Sequence, residues 1–304
     1  MTTSLGPIVM LSVVVAAIAA AVFAGVLVAL VVFTIRYRDL RATGPAPQIP
    51  QIHGHAALEI AWTAIPILVL AVVFGASLVT LGQIGRGATF GSLEPPVRLT
   101  VIGHQWWFEF RYAGGAVTAN EAHIPAGVPV ELTLESNDVI HDLWVPELGA
   151  KSDIVPGQRN VLRLFSARSG VFGGACAEFC GLEHAWMRVR VVAEPRADFD
   201  RWLAAQSLDR APAGPARGEA VFLGNVCSSC HAIRGTSATA SIGPDLTHVG
   251  SRETLAGGVL RNDAAAMKAW LSDPQAYKPG ALMPPVPLAG ADLDALVAYL
   301  EGLR

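Results

Sequence analysis

Charged side chains are scarce in this 304-residue chain: Asp, Glu, Lys and Arg make up 15% of it, against a hydrophobic share of 52%. The net charge of −3 is spread along the sequence. No basic stretch forms a patch of the kind that grips nucleic acid, so that class of partner is set aside. Cysteine is scarcer still. The four cysteines fall as two close pairs, Cys176/Cys180 and Cys227/Cys230, each followed by a histidine. A secreted disulfide framework scatters its cysteines to staple distant loops. Tight Cys pairs with histidine suit metal and cofactor chemistry, with two small-loop disulfides as the competing reading.

The longest absence is of charge itself, from Met1 to Ile35. Ile8 to Ile35 is almost wholly apolar. At about 1.5 Å rise per residue it makes a helix of some 40 Å, enough to cross a hydrocarbon core of about 30 Å with tilt. A second apolar run extends from about Ile60 to Leu81. The spacing predicts two transmembrane helices, over about 8–35 and 60–81. The polar loop between them carries Arg36, Arg38 and Arg41, whereas the N-terminal tail has no Lys or Arg. The positive-inside rule therefore puts the loop in the cytoplasm and everything after Leu81 on the periplasmic or equivalent side. A cleaved signal peptide is the rival reading of the first run, but it lacks a basic leading region and is too long for the usual apolar core. Glu59, in LEIAWTAIP at the mouth of the second span, reads either as a solvated flank or as a proton-entry group facing a partner helix.

From about Pro96 to Glu194 the pattern changes to alternation. Val130, Leu132 and Leu134 share one face of PVELTLES; Met187, Val189 and Val191 share one face of WMRVRVV; GHQWWFEFRY is a further β-rich run. Short strands broken by Gly, Pro and Asn turns predict an antiparallel sandwich. Near its end stands CAEFCGLEHAWM: Cys176 and Cys180, His184 and Met187 within a dozen residues. Soft sulfur with imidazole suits copper or zinc, and the thioether tilts the choice to copper, where it is a common weak axial ligand. A further ligand must come from elsewhere. His141, after the strand PVELTLES, is placed to reach the Cys loop, and spacing alone leaves His104 and His123 as further candidates.

In these residues the chain resembles subunit II of the haem–copper cytochrome c oxidases. GHQWWFEFRY, HDLWVPELGAKSDIVPG, CAEFCGLEHAWM and LEIAWTAIP carry the resemblance over about the first 200 residues. It implies a cupredoxin-like sandwich holding the dinuclear copper centre called CuA. Cys176 and Cys180 would bridge the coppers, His141, His184 and Met187 would be terminal ligands, and the carbonyl of Glu178 would complete the set. It also implies a magnesium ion shared with subunit I through the Glu178 side chain, electrons arriving through Trp106, and Glu59 at the mouth of a proton channel in subunit I. Ser152, where methionine is frequent, and Phe108, where a third tryptophan is often found, depart from the family without touching a predicted ligand. A centre with its ligands filled offers no open position for substrate, so it is read as a relay.

After Glu194, RADFDRWLAAQSLDR reads as a short helix and APAGPARG as a linker. From about Arg217 onward the chain contains Cys227-Ser-Ser-Cys230-His231, the attachment pattern for c-type haem. Both thiols form thioethers and His231 is the proximal iron ligand. A redox pair or zinc half-site is the rival, and no second Cys/His cluster follows to complete zinc. Met283, in the proline-rich KPGALMPPVP, is the expected distal ligand; Met267, inside the helical AAAMKAWLSD, reads as core. A His/Met pair raises the haem potential relative to two histidines. This half resembles a class I cytochrome c domain through GEAVFLGNVCSSCHAIRG, IGPDLTHVGSR and WLSDPQAYKPGALMPP.

The expectation is a multi-domain membrane protein. It comprises a transmembrane helical hairpin (1–90), an all-β cupredoxin-like CuA sandwich (91–195), a helix and linker (196–216) and an all-α cytochrome c domain (217–304). Its expected setting is a bacterial inner membrane, with the copper and haem domains on the outer side. Electrons from a cytochrome c or other periplasmic or membrane donor would pass through haem c and CuA to the oxygen-reducing subunit I, coupled to proton pumping, with subunit III as a further partner. The catalytic centre lies on subunit I. The rivals are a CuA-bearing nitric oxide reductase subunit and a free-standing membrane electron carrier.

Overall fold

The computed structural model describes residues 5–38, 54–87, 94–149, 151–210, 215–288 and 290–304. Most of the loop read as cytoplasmic, Arg41 included, and the first half of the APAGPARG linker lie outside the described residues. Two compact units divide the chain, the first 89 residues apart from Met1 forming one and 90–304 the other.

The N-terminal unit is two helices that touch one another, α1 (Leu5–Arg36) and α2 (Ala56–Gly87). Each runs several residues past the expected apolar span. Their most apolar windows contain no buried residue, so the apolar side chains face outward all round. A helix apolar on every side needs lipid rather than a protein core to cover it. Glu59 lies in the first turn of α2 on an exposed face, its carbonyl accepting the Thr63 hydroxyl at 2.8 Å.

The second unit opens with a β-sandwich. Its strands are β1 (Val97–His104), β2 (Trp107–Tyr112), β3 (Val117–Ala119), β4 (Glu121–Pro125) and β5 (Val130–Ser136). β6 (His141–Trp144), β7 (Ser152–Ile154), β8 (Asn160–Leu164), β9 (Gly170–Cys176) and β10 (Arg188–Glu194) follow. One sheet has the order β3-β2-β1-β5-β8 and the other β4-β10-β9-β6-β7. The alternation seen in the sequence faces inward: Val130, Leu132 and Leu134 from one sheet and Met187, Val189 and Val191 from the other are all buried in a shared core. The sheets are not purely antiparallel as expected, because β1 pairs with β5, and β4 with β10, in parallel. Each pair is joined by a long crossover through other strands, which parallel pairing requires. GHQWWFEFRY is not one strand. The chain turns at Gln105–Trp106 and returns as β2, with His104 opposite Trp107. Helix α3 (Arg196–Gln206) closes the sandwich by sinking Phe199 into its core, with Trp202 packed beside it.

The C-terminal part is built on α4 (Ala216–Gly224), the short α5 (Cys227–Cys230), α6 (Ala264–Ser272) and α7 (Ala291–Gly302). A two-rung ladder of β11 (Thr254–Leu255) and β12 (Leu260–Arg261) is the small exception to an all-helical reading. Phe222, Met267, Leu271, Leu296, Tyr299 and Leu300 form its core. Asp263 caps α6 by accepting the Ala266 amide at 2.9 Å. α4 lies directly on α7 because Gly218 has no side chain: a Cβ there would stand 2.2 Å from the Ala295 carbonyl oxygen.

That contact predicts a contrast. Gly218→Ala costs about 1–3 kcal/mol by overpacking against backbone, whereas Gly224→Ala, with nothing within 4 Å of the added methyl, costs nothing. Thermal unfolding of the detergent-solubilised chain, followed by helical circular dichroism, checks it: only the first variant lowers the midpoint.

Candidate metal and haem sites

Cys176 ends β9 and Met187 immediately precedes β10, its antiparallel neighbour. The Cys176 amide donates to the Met187 carbonyl at 2.9 Å, so the loop between them is pinned at its base. That loop turns back through a short 3-10 helix, His184–Trp186. The result is a sulfur-rich knot. Cys176 Sγ lies 3.8 Å from Cys180 Sγ; Cys180 Sγ lies 3.7 Å from His184 Nδ1 and 3.9 Å from Met187 Sδ; Cys176 Sγ lies 3.2 Å from the Glu178 carbonyl oxygen. His141 arrives from the next strand, because β6 pairs with β9 and sets Leu143 opposite Cys176. Its Nδ1 stands 4.0 Å from Cys176 Sγ. Gly103 leaves room for the ring, since a Cβ there would sit 2.7 Å from His141 Cδ2.

All four cysteines are free thiols. The ligand atoms of His141, Cys176 and Cys180 lie within 4.8 Å of one another. Metal bonds of about 2.0–2.3 Å make tetrahedral edges of about 3.3–3.8 Å, close to the spacings found, so the donor set fits soft metal. Hydrogen bonding also favours the thiolate form of Cys176. Cys176 is held well below the ordinary thiol range, chiefly by the hydrogen bond from Cys180, then by His141 and backbone groups, while Cys180 is pushed up by donating that hydrogen bond and by burial. Burial works against a charged His141, but its bonds to Cys176 and Asp138 outweigh burial and hold it above the ordinary imidazole range.

Of the other two candidate histidines, His104 stacks on Trp107 at 4.1 Å and sits 3.2 Å from the buried Glu109, which also pairs with Arg111. His123 stacks on Trp202 and bonds Glu194 at 2.9 Å. Each is fully engaged away from the sulfur knot. Asp138, not singled out from sequence, is the group behind His141: its Oδ1 lies 2.8 Å from His141 Nε2, and its carboxylate accepts the amides of Gln105 and Val139 at 2.7 and 2.6 Å. A ring that donates Nε2–H to Asp138 presents the Nδ1 lone pair to the sulfurs.

Trp106, at the β1–β2 turn, donates its indole N–H to the Cys180 carbonyl at 3.0 Å, and Gln105 Nε2 donates to the same oxygen at 2.7 Å. Gly181, at φ +119°, lets the loop lie against both: a Cβ would stand 3.1 Å from each side chain. Glu178 and Phe179 beside it are exposed.

Trp106 also walls a second site, a cavity of about 250 Å³ bounded by Cys227, Cys230, His231 and Met283. The turn of α5 brings both thiols and His231 to this wall, with the His231 amide donating to the Cys227 carbonyl at 2.9 Å. His231 Nδ1 donates to the Pro244 carbonyl at 2.7 Å, leaving Nε2 as the free ligand atom, and burial pushes the ring below the ordinary imidazole range, so it is neutral. Gly243 makes this seat, since a Cβ would lie 2.5 Å from His231 Cε1. Met283, half-buried, packs on the helical core at the same cavity, while Met267 is buried inside that core. Two thiols, a neutral imidazole and a thioether around an apolar space fit a covalently held haem. Arg252 lines the cavity as well, its guanidinium bonded to the Asp245 carbonyl. It ends the motif IGPDLTHVGSR but was not singled out from the sequence.

Three family models match in order. The transmembrane domain of cytochrome c oxidase subunit II covers residues 4–79, its periplasmic domain 116–194, and cytochrome c 215–304. Cytochrome c oxidase subunit 2 of Alkalihalophilus pseudofirmus is 38% identical over 91% of this chain and 83% of its own length. That of Bacillus subtilis is 32% identical over 89% and 81%. Among solved structures, the periplasmic domain of subunit II of cytochrome oxidase of Bradyrhizobium japonicum is 25% identical over 37% of this chain and 94% of its own, with a TM-score of 0.36. The chain therefore belongs to the cytochrome c oxidase subunit II family, as a membrane-anchored member with a cytochrome c domain at its C-terminal end.

Proposed function

We propose that this chain relays electrons into a respiratory haem–copper oxidase. They pass from a cytochrome c type donor through haem c and CuA to subunit I, where oxygen reduction is coupled to proton pumping. One observation carries the reading: a single residue, Trp106, both lines the haem cavity and, through its indole N–H, bonds the carbonyl of a copper-ligand residue. When bound, the two groups supply reversible one-electron chemistry.

The residues assigned to CuA are His141, Cys176, the Glu178 carbonyl, Cys180, His184 and Met187; those assigned to haem c are Cys227, Cys230, His231 and Met283. The chain's own work is to hold these donors still. Asp138 orients His141, Pro244 orients His231, and Gln105 and Trp106 clamp the loop at Cys180. Fixed ligands limit the rearrangement that each change of oxidation state would demand. The exposed carboxylate of Glu178 is assigned to magnesium, with its other ligands supplied by subunit I. Glu59, on an outward face of α2, is assigned to the mouth of the proton channel. The relatives in Bacillus support a bacterial inner membrane, with both cofactor domains on its outer side. Subunit III is the further partner.

Purification of the native complex with metal analysis and optical spectra tests the reading. It requires about two coppers and one covalent haem on this chain, and further haem on a partner. A monomeric chain with no copurifying haem a or b contradicts it. Two variants test the supports. Asp138→Ala lowers copper affinity by about 10–100-fold, the usual effect of removing an orienting group behind a ligand, read by copper titration of the metal-free chain. Gly243→Ala drives the His231 ring off its seat and yields a chain with thioether-linked haem but an altered Soret band.

A further inference from the structure

Glu183 and Lys278 lie within CAEFCGLEHAWM and KPGALMPPVP, but no ligand assignment gives either of them a role. Glu183 stands between Cys180 and His184 on the copper-type loop and is 0% exposed; Lys278 stands five residues before Met283 on the haem-side loop and is 5% exposed. Lys278 Nζ lies 3.3 Å from Glu183 Oε2 and 3.5 Å from the Trp106 carbonyl oxygen. Among the described residues neither oxygen of Glu183 has a hydrogen-bond partner beyond this ion pair, so its charge depends on the ammonium. A charge buried without its counter-ion is strongly unfavourable, so each residue requires the other to be in place.

We propose that Glu183 and Lys278 form a buried latch between the two cofactor domains. The pair sets how the haem-side loop seats on Trp106 and the sulfur knot, and so acts as a positioning pair for electron exchange between them. The surroundings are shaped for that seating. Gly257, at φ +71°, passes so close that a Cβ would stand 3.3 Å from both Lys278 Nζ and the Trp186 carbonyl oxygen. Its own carbonyl accepts the Arg188 amide at 3.2 Å. Gly280, at φ +105°, brings the haem-side loop against Leu182 and Glu183. The domains are tied separately at the far side. There Arg234 donates to the carbonyls of Gln206, Ser207 and Gly115, and Gln206 Nε2 donates to Ser251 Oγ at 3.2 Å. Loss of the latch therefore loosens the metal side while the domains stay joined.

The inference rests on the functional reading above, and its test separates the two. In the full complex, Lys278→Met raises hydrogen exchange in segments 181–190 and 254–262 by roughly tenfold or more, as expected when a buried charge loses its partner. Haem-to-copper electron transfer after rapid reduction slows several-fold, copper and haem contents and spectra stay normal, and Lys278→Arg restores both readouts. The paired variant Glu183→Gln/Lys278→Met removes both charges and keeps the test open if the single variant fails to assemble. It also exchanges faster and transfers electrons more slowly. Unchanged exchange in either variant overturns the latch, as does a slowed transfer explained by lost copper absorption. Missing copper or haem in the unsubstituted complex counts against the functional reading alone.

Discussion

The spacing of two sulfurs, 3.8 Å between Cys176 and Cys180, is the constraint around which this molecule is organised. Left to themselves, two thiols that close in a flexible loop would oxidise to a disulfide. Here the loop is tied from three directions. The Cys176 amide is bonded to Met187 across the sheet, the Cys180 carbonyl is held by Gln105 and Trp106, and His141 is aimed from the neighbouring strand by Asp138. The sandwich supplies the rigidity. Cys176 and Met187 sit at the ends of paired strands whose inward faces are locked in the core, so a shift of either sulfur would have to move a strand.

The same clamp joins the two cofactor domains. Trp106 holds Cys180 with its indole N–H and also lines the cavity that gathers Cys227, Cys230, His231 and Met283. A relay benefits from this economy, because orientation and proximity between centres are built into one covalent chain and do not depend on diffusional encounter. The two apolar helices form a separate unit whose outward-facing side chains need lipid cover.

Much of this was legible in the sequence, for identifiable reasons. PVELTLES and WMRVRVV could be placed because alternation survives wherever a strand buries one face. CAEFCGLEHAWM and CSSCH could be placed because their donors are local. What depended on residues far apart in the chain was not legible. Spacing alone left His104 and His123 beside His141, which only the family resemblance singled out; the β6–β9 pairing gives the physical reason, and His104 and His123 are stacked on tryptophans and bonded to glutamates. The parallel pairings of β1 with β5 and β4 with β10 leave no mark on periodicity, and the turn inside GHQWWFEFRY is hidden by its unbroken β propensity. Asp138, Glu183 and Lys278 drew no reading of their own, although the last two stand inside CAEFCGLEHAWM and KPGALMPPVP. Their importance comes from what stands beside them in space.

The central claim is that this sulfur knot holds a pair of copper ions. Copper K-edge X-ray absorption on the purified full-length chain tests it most directly. The account predicts thiolate sulfur and a neighbouring copper around each absorbing copper, with both signals lost when Cys176 and Cys180 are replaced by serine. A spectrum showing only nitrogen and oxygen around an isolated copper, or zinc in its place, would contradict it.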